Sequence, residues 1–228
     1  MKLNKIICAN CVDIIDEFKD NSIKLVATSP PYKNAYQSNY TKEFGEPLYL
    51  IEDVSELLYN KVKDNGIYAL NLGYSNSTGL LFPFEIVKRL TKIGWMVPDA
   101  VIWHKNNPIP NTSNQFTISY EFIFLLTKQS NYSFVSKKRK YIHNVWDIPI
   151  NSKRTGHTLM FPLEIPMRLI KLFTKQNDLV VDPFSGSGQT VIASKMLNRK
   201  YIGIDINEKY CMMAKERMYE IERGSALK

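Results

Sequence analysis

Short runs of β-branched and apolar residues, most of them separated by stretches with helical spacing, constrain this chain more than any other feature. The runs lie at 5–8, 23–28, 67–72, 100–104, 121–127, 179–182 and 201–206. Helical spacing occupies 13–18, 49–62, 81–93, 162–174, 191–197 and 207–221. Strand alternating with helix predicts an α/β fold with a doubly wound, mostly parallel sheet. The strand runs are almost unbroken in apolar residues, as when helices cover both faces. At 228 residues the chain has the length for one sizeable core, so a single domain over 1–228 is expected. Two stretches break the alternation: 33–47, polar and tyrosine-rich, and 130–156, basic and irregular. Loops this long in an α/β domain are usually functional or disordered, which makes both candidates for contact with a partner.

Composition narrows the partner. Thirty Lys+Arg against 22 Asp+Glu give a net charge of +8 and a pI near 9.2. That balance favours a polyanion, although a solvated basic surface would look the same. No apolar run approaches the ~20 residues of a membrane helix. The N-terminus lacks the pattern of a signal peptide. Cysteine usage, 3 in all, suits a reducing compartment, and a cytoplasmic protein with no membrane partner is expected. Cys8 and Cys11 have the spacing of half a zinc site, but no second half is in reach, so no metal is expected.

The segment Leu179-Val180-Val181-Asp182-Pro183-Phe184-Ser185-Gly186-Ser187-Gly188-Gln189-Thr190 reads as strand, glycine turn and helix. Glycines let backbone approach a ligand at the carboxyl end of a strand. A second strand then ends in Asp205, placed to accept hydrogen bonds from ribose hydroxyls. Gly-Ser-Gly alone is equally a structural turn; the whole arrangement points to an adenosine-containing ligand. A dinucleotide would need a third glycine where Val191 stands. Asp182 before the turn would repel a phosphate and suits a cationic ammonium. S-adenosylmethionine has that ammonium, a sulfonium and no phosphate.

A second constellation follows the strand at 23–28: Ser29-Pro30-Pro31-Tyr32. Two prolines fix φ and remove two backbone donors, so the carbonyls there can only accept. Tyr32 offers a flat face. Such a corner suits a planar ring with an exocyclic amine, donating to Ser29 Oγ and a proline carbonyl. A proline-rich strand exit with a packing tyrosine would read the same way.

Together, Asp182 to Thr190 and Thr28 to Tyr32 resemble the cofactor and catalytic motifs of amino-methylating DNA methyltransferases. With the catalytic motif first, the order resembles the β group of that family, a circular permutation. The resemblance implies a doubly wound, Rossmann-like methyltransferase sheet. It implies Ser29, Pro30, Pro31 and Tyr32 as catalytic residues. It implies Asp182, Pro183, Phe184, Ser185, Gly186, Gly188, Thr190 and Asp205 as cofactor residues. Residues 7–11 resemble the strand end that contacts the cofactor adenine, adding Asn10 and Cys11; Asn10 stands where an aspartate is common. Residues 157–170 resemble the segment before the cofactor strand, adding His157 and Thr158.

The family implies methyl transfer from S-adenosylmethionine, without a metal, to an exocyclic amine of a base flipped from double-stranded DNA. Ser at position 29 resembles the cytosine N4 enzymes; adenine N6 is the alternative. An RNA or protein-amide methyltransferase and a catalytically dead binding protein are the other classes. The family also implies a restriction–modification setting with a cognate endonuclease, and a homodimer. Recognition would fall in 130–156, where Lys137, Lys138, Arg139 and Lys140 form a basic run beside Tyr141, shared with 33–47.

Overall fold

Every residue of Leu179-Val180-Val181-Asp182 is buried, and so are all but one of Ile23–Thr28. Segments apolar on both faces can only be central strands with helices above and below. The computed structural model describes residues 2–30, 47–112, 114–135, 141–150 and 162–223. In chain order it contains β1 (Lys5–Cys8), α1 (Cys11–Asp16), β2 (Ile23–Thr28), α2 (Pro47–Lys61), β3 (Val62–Leu72), α3 (Phe82–Ile93) and β4 (Met96–His104). Then follow β5 (Tyr120–Thr127), β6 (Val145–Asp147), α4 (Glu164–Phe173), β7 (Leu179–Asp182), α5 (Gln189–Met196), β8 (Lys200–Asp205) and α6 (Glu208–Glu222). The strands form an eight-stranded sheet in the order β1-β8-β7-β2-β3-β5-β4-β6. Only β5 runs against its neighbours.

Strand residues alternate between two cores. Val26, Leu70, Leu126 and Val181 face α1, α2 and α3, where Ile15, Leu58 and Leu90 are fully buried. Leu25, Ala69, Leu125 and Val180 face α4, which contributes Ile165, Leu169 and Phe173, and α5, which contributes Ala193. Fully burying one such side chain is worth about 1.5–3 kcal/mol. Cap bonds, at about 1 kcal/mol each, mark where the helices begin. Asn10 Oδ1 accepts from Val12 N at 3.1 Å to start α1, and Asn207 Oδ1 accepts from Lys209 N at 3.0 Å to start α6.

The structure departs from the sequence reading at the less periodic strands. β3 starts at Val62 rather than 67, through the polar Lys63-Asp64-Asn65-Gly66, with a register shift opposite Ile23/Leu25. β4 starts at Met96 and shifts register between Met96 and Asp99, where Pro98 cannot donate to the ladder. The stretch 130–156 is not irregular throughout. Val145–Asp147 pairs with Ile102, Trp103 and His104 as the edge strand β6. Trp146 anchors it, 2% exposed. Ile148 is also buried, and its carbonyl accepts from Trp103 Nε1 at 2.7 Å.

Candidate active site

The strand order creates one place where connections diverge. β2 leads through α2 to β3 on one side of the sheet centre, and β7 leads through α5 to β8 on the other. Helices α2 and α5 also lie on opposite faces. The carboxyl ends of the neighbours β2 and β7 therefore open a crevice, the usual ligand position in a doubly wound sheet. Both motifs found in the sequence end there, more than 150 residues apart in the chain. Thr28 Oγ1 donates to Asp182 Oδ1 at 2.5 Å and ties the two strand ends together.

On the β7 side, five of the expected cofactor residues share a cleft. Asn10, Cys11, Pro183, Phe184 and Asp205 line it together with Ala9, Leu50 and Ile206. Apolar walls with one carboxylate suit a purine nucleoside with hydroxyls to bind. Asp205 Oδ2 accepts from Gly186 N and Oδ1 from Asn207 N, each at 2.8 Å. Each oxygen retains a further lone pair for a ligand hydroxyl. Burial pushes the Asp205 carboxyl up, while those two N–H groups pull it back. Burial also raises the Cys11 thiol to about 12, so Cys11 is an apolar wall and no nucleophile.

Beneath the cleft lies a second layer. Asp182 is 4% exposed and also accepts from Phe184 N at 3.1 Å. Burial raises its carboxyl to about 6, although hydrogen bonds from Thr28, Thr190 and Phe184 N act the other way. The Thr190 hydroxyl, itself buried, has its one proton between two acceptors, the Asp182 carboxyl and the Ala27 carbonyl, the latter at 3.1 Å. Ser185 is buried and its N–H donates to the Ile204 carbonyl at 2.8 Å. The turn needs its glycines for different reasons. Gly186 has φ +50 and nothing within 4 Å of a Cβ built on it, so the backbone borders open space. Gly188 has φ +88, and a Cβ there would sit 2.9 Å from Ala214 Cβ. Arg217 of α6 clamps the turn, donating to the Ser187 carbonyl at 2.6 Å and to Gln189 Oε1 at 3.2 Å.

On the β2 side, Ser29 is half-buried and Pro30 buried. Ser29 Oγ accepts from Asn71 Nδ2 at 3.2 Å. The same nitrogen donates to Glu121 Oε2 at 2.6 Å, and Glu121 Oε1 pairs with Lys105 Nζ at 2.7 Å. Sequence reasoning missed Asn71, Glu121 and Lys105. The available signal was a polar residue near the carboxyl end of an apolar strand, at Asn71 in β3. Its link to Glu121, 50 residues on, needed the antiparallel pairing of β3 with β5. Pro31, Tyr32, His157, Thr158, Lys137, Lys138, Arg139 and Lys140 lie outside the described residues, as do positions 33–46. Among the described residues, no three His, Cys, Asp or Glu side chains gather as a metal site, and no helix is long and apolar enough to cross a membrane.

A family model described as DNA methylase, for N6 and N4 methyltransferases, matches residues 23–216. The chain belongs to this N6/N4 DNA methylase family. The methylase is 29% identical to the type II methyltransferase M2.MboI of Moraxella bovis, over 93% of this chain and 86% of that one. It is 28% identical to the type II methyltransferase M.MwoI of Methanothermobacter wolfeii over 91% of this chain, and there it spans only 32% of the relative's length. The solved complex of M1.HpyAVI with S-adenosylmethionine superposes with a TM-score of 0.71 at 28% identity, covering 93% of this methylase and 98% of that chain. The family expectation and the doubly wound, mostly parallel methyltransferase sheet are thus both borne out, the sheet having eight strands where the sequence showed seven runs.

Proposed function

We propose that this methylase moves the methyl group of S-adenosylmethionine to an exocyclic amine of a base flipped from double-stranded DNA, with cytosine N4 as the acceptor. The observation that carries the proposal is the divided crevice. A cleft bearing the Asp205 carboxylate lies beyond β7 and β8, and Ser29 and Pro30 follow β2, with the two strand ends joined by the Thr28–Asp182 bond. The bound cofactor of M1.HpyAVI, a relative matched over nearly its whole length, supports the same ligand here. When bound, S-adenosylmethionine supplies an electrophilic methyl on sulfonium.

The residues then divide the work. Asp205 accepts from the ribose hydroxyls, and Asn10, Cys11, Pro183 and Phe184 enclose the adenine. Asp182 faces the ammonium, and Gly186 and Gly188 let the backbone come close. Ser29 Oγ and the Pro30 carbonyl accept the amine hydrogens, which draws nitrogen toward tetrahedral geometry and frees a lone pair otherwise conjugated with the ring. Preorganised acceptors of this kind cost no reorganisation as charge develops. Alignment of nitrogen, methyl carbon and sulfur can supply about 7–11 kcal/mol of the barrier. The nitrogen's surplus proton leaves after transfer, so no strong base is needed. Tyr32 would stack on the flipped base and return about 1–3 kcal/mol of its unstacking cost.

Serine at position 29 favours cytosine N4 over adenine N6. The proposal takes 1–228 as one methyltransferase domain in the cytoplasm. It includes a homodimer and, from the type II names of its relatives, a cognate restriction endonuclease. The test is mass spectrometry of nucleosides from duplex DNA incubated with the protein and S-adenosylmethionine. N4-methylcytosine supports the reading, and N6-methyladenine moves it to the other base. Methyl transfer only to RNA or protein, or to nothing, overturns it.

A further inference from the structure

The group holding Ser29 is itself held. Asn71 is 1% exposed at the end of β3, and its single amide nitrogen reaches both Glu121 Oε2 and Ser29 Oγ. Glu121 is paired with Lys105, and both side chains are largely enclosed, at 14% and 13% exposure. Lys105 Nζ also lies 5.0 Å from the centre of the Trp103 ring. A carboxylate in an ion pair offers only lone pairs, so it fixes which end of the Asn71 amide faces it. With the NH2 end fixed, Ser29 Oγ must accept from Asn71. One of its two lone pairs is then occupied and the other stays aimed elsewhere. A serine hydroxyl otherwise turns freely about χ1 and its own O–H bond. The chain Lys105–Glu121–Asn71–Ser29 removes that freedom before any base arrives.

We infer that Asn71, oriented by the Glu121–Lys105 ion pair, is a positioning residue that presents Ser29 Oγ as an acceptor to the target amine. This rests on the reading of Ser29 as an amine acceptor given above. Asn71 acts through Ser29 and touches no reacting atom, which a double-mutant cycle can establish. The ion pair explains why a charged couple lies beside the catalytic strand end at all. A largely enclosed ion pair is weak support for stability, which leaves its orienting contact with Asn71 as the role proposed for it.

The test is single-turnover transfer of labelled methyl to unmethylated plasmid DNA at saturating S-adenosylmethionine, in Ser29→Ala, Asn71→Ala and the double variant. Asn71→Ala should slow the chemical step by about tenfold or more, as expected for about 1.4 kcal/mol of lost positioning. In the Ser29→Ala background it should change the rate by less than about twofold. Cofactor affinity should stay unchanged throughout. If Asn71→Ala loses cofactor binding through misfolding, Glu121→Gln replaces it, since a Gln can turn the Asn71 amide around without changing shape. Equal slowing in both backgrounds would overturn the inference while leaving Ser29 in its role. A Ser29→Ala rate equal to the parent's would overturn the reading of Ser29 itself.

Discussion

If Asp182 faces the cofactor ammonium as proposed, cofactor binding should be sensitive to mild acid. Its carboxyl is raised to about 6, first by burial and then by the charge of Asp205, while Thr28, Thr190 and Phe184 N lower it without offsetting burial. In the free protein, stability from this group is present at low pH and is lost as pH rises through about 6, because the ionised form is the penalised one. In the proposed complex the cofactor would reverse the preference, since an ammonium pairs only with the ionised carboxylate. Binding at low pH must therefore expel a proton from Asp182. With a carboxyl at about 6, roughly one free molecule in eleven is ionised at pH 5 and roughly ten in eleven at pH 7. Affinity for S-adenosylmethionine should fall about tenfold from pH 7 to pH 5, or about 1.4 kcal/mol, and be nearly flat above pH 7. Isothermal titration in buffers of different ionisation heat reads both the affinity and the proton released. Asp205 is also raised by burial and would add a dependence of the same sign, so the assignment needs variants. Asp182→Asn should flatten the profile, and Asp205→Asn should leave most of it. A native affinity independent of pH between 5 and 7, or a slope that survives in Asp182→Asn, would refute the reasoning.

Three more expectations follow from the same geometry and charge. Arg217→Ala should release the turn before α5 and weaken cofactor affinity by about tenfold, with DNA affinity unchanged, because carbonyl and amide acceptors lose a charged donor; unchanged cofactor affinity would show that the turn holds its shape without the clamp. Gly188→Ala combines a left-handed φ of +88 with a 2.9 Å approach to Ala214, so its melting temperature should drop by several degrees for a loss of about 1–3 kcal/mol; an unchanged melting curve would contradict that packing. Replacing Lys137, Lys138, Arg139 and Lys140 by Ala should flatten the salt dependence of DNA binding, by about 0.9 in slope for each phosphate no longer neutralised; an unaltered slope would make the run a solvated face.

The sequence made the two ends of the crevice legible because each is local. Strand, turn and acid are contiguous at Asp182 to Asp205, and the serine and prolines are contiguous after Thr28. Apolar runs such as Leu179–Asp182 announced central strands because both their faces are covered. What stayed hidden depends on register between distant segments. Asn71 meets Glu121 only because β3 and β5 run antiparallel, and Leu50 enters the cleft beside Asp205 from the start of α2. The edge strand Val145–Asp147 is too short to show a period, and a buried tryptophan holds it in place. Pro98 concealed the first half of β4, since a proline normally argues against a strand.

The central claim is that one crevice has two ends with separable duties, cofactor retention after β7 and β8 and amine activation after β2. Equilibrium affinity for S-adenosylmethionine, measured side by side for Asp205→Ala and Ser29→Ala, tests it most directly. Asp205→Ala should lose roughly tenfold to hundredfold, the equivalent of about 1.5–3 kcal/mol for a carboxylate that accepts ligand hydroxyls and holds Gly186 N. Ser29→Ala should bind cofactor as the parent does. An Asp205→Ala protein with parental affinity, or a Ser29→Ala protein that loses as much as Asp205→Ala, would contradict the account.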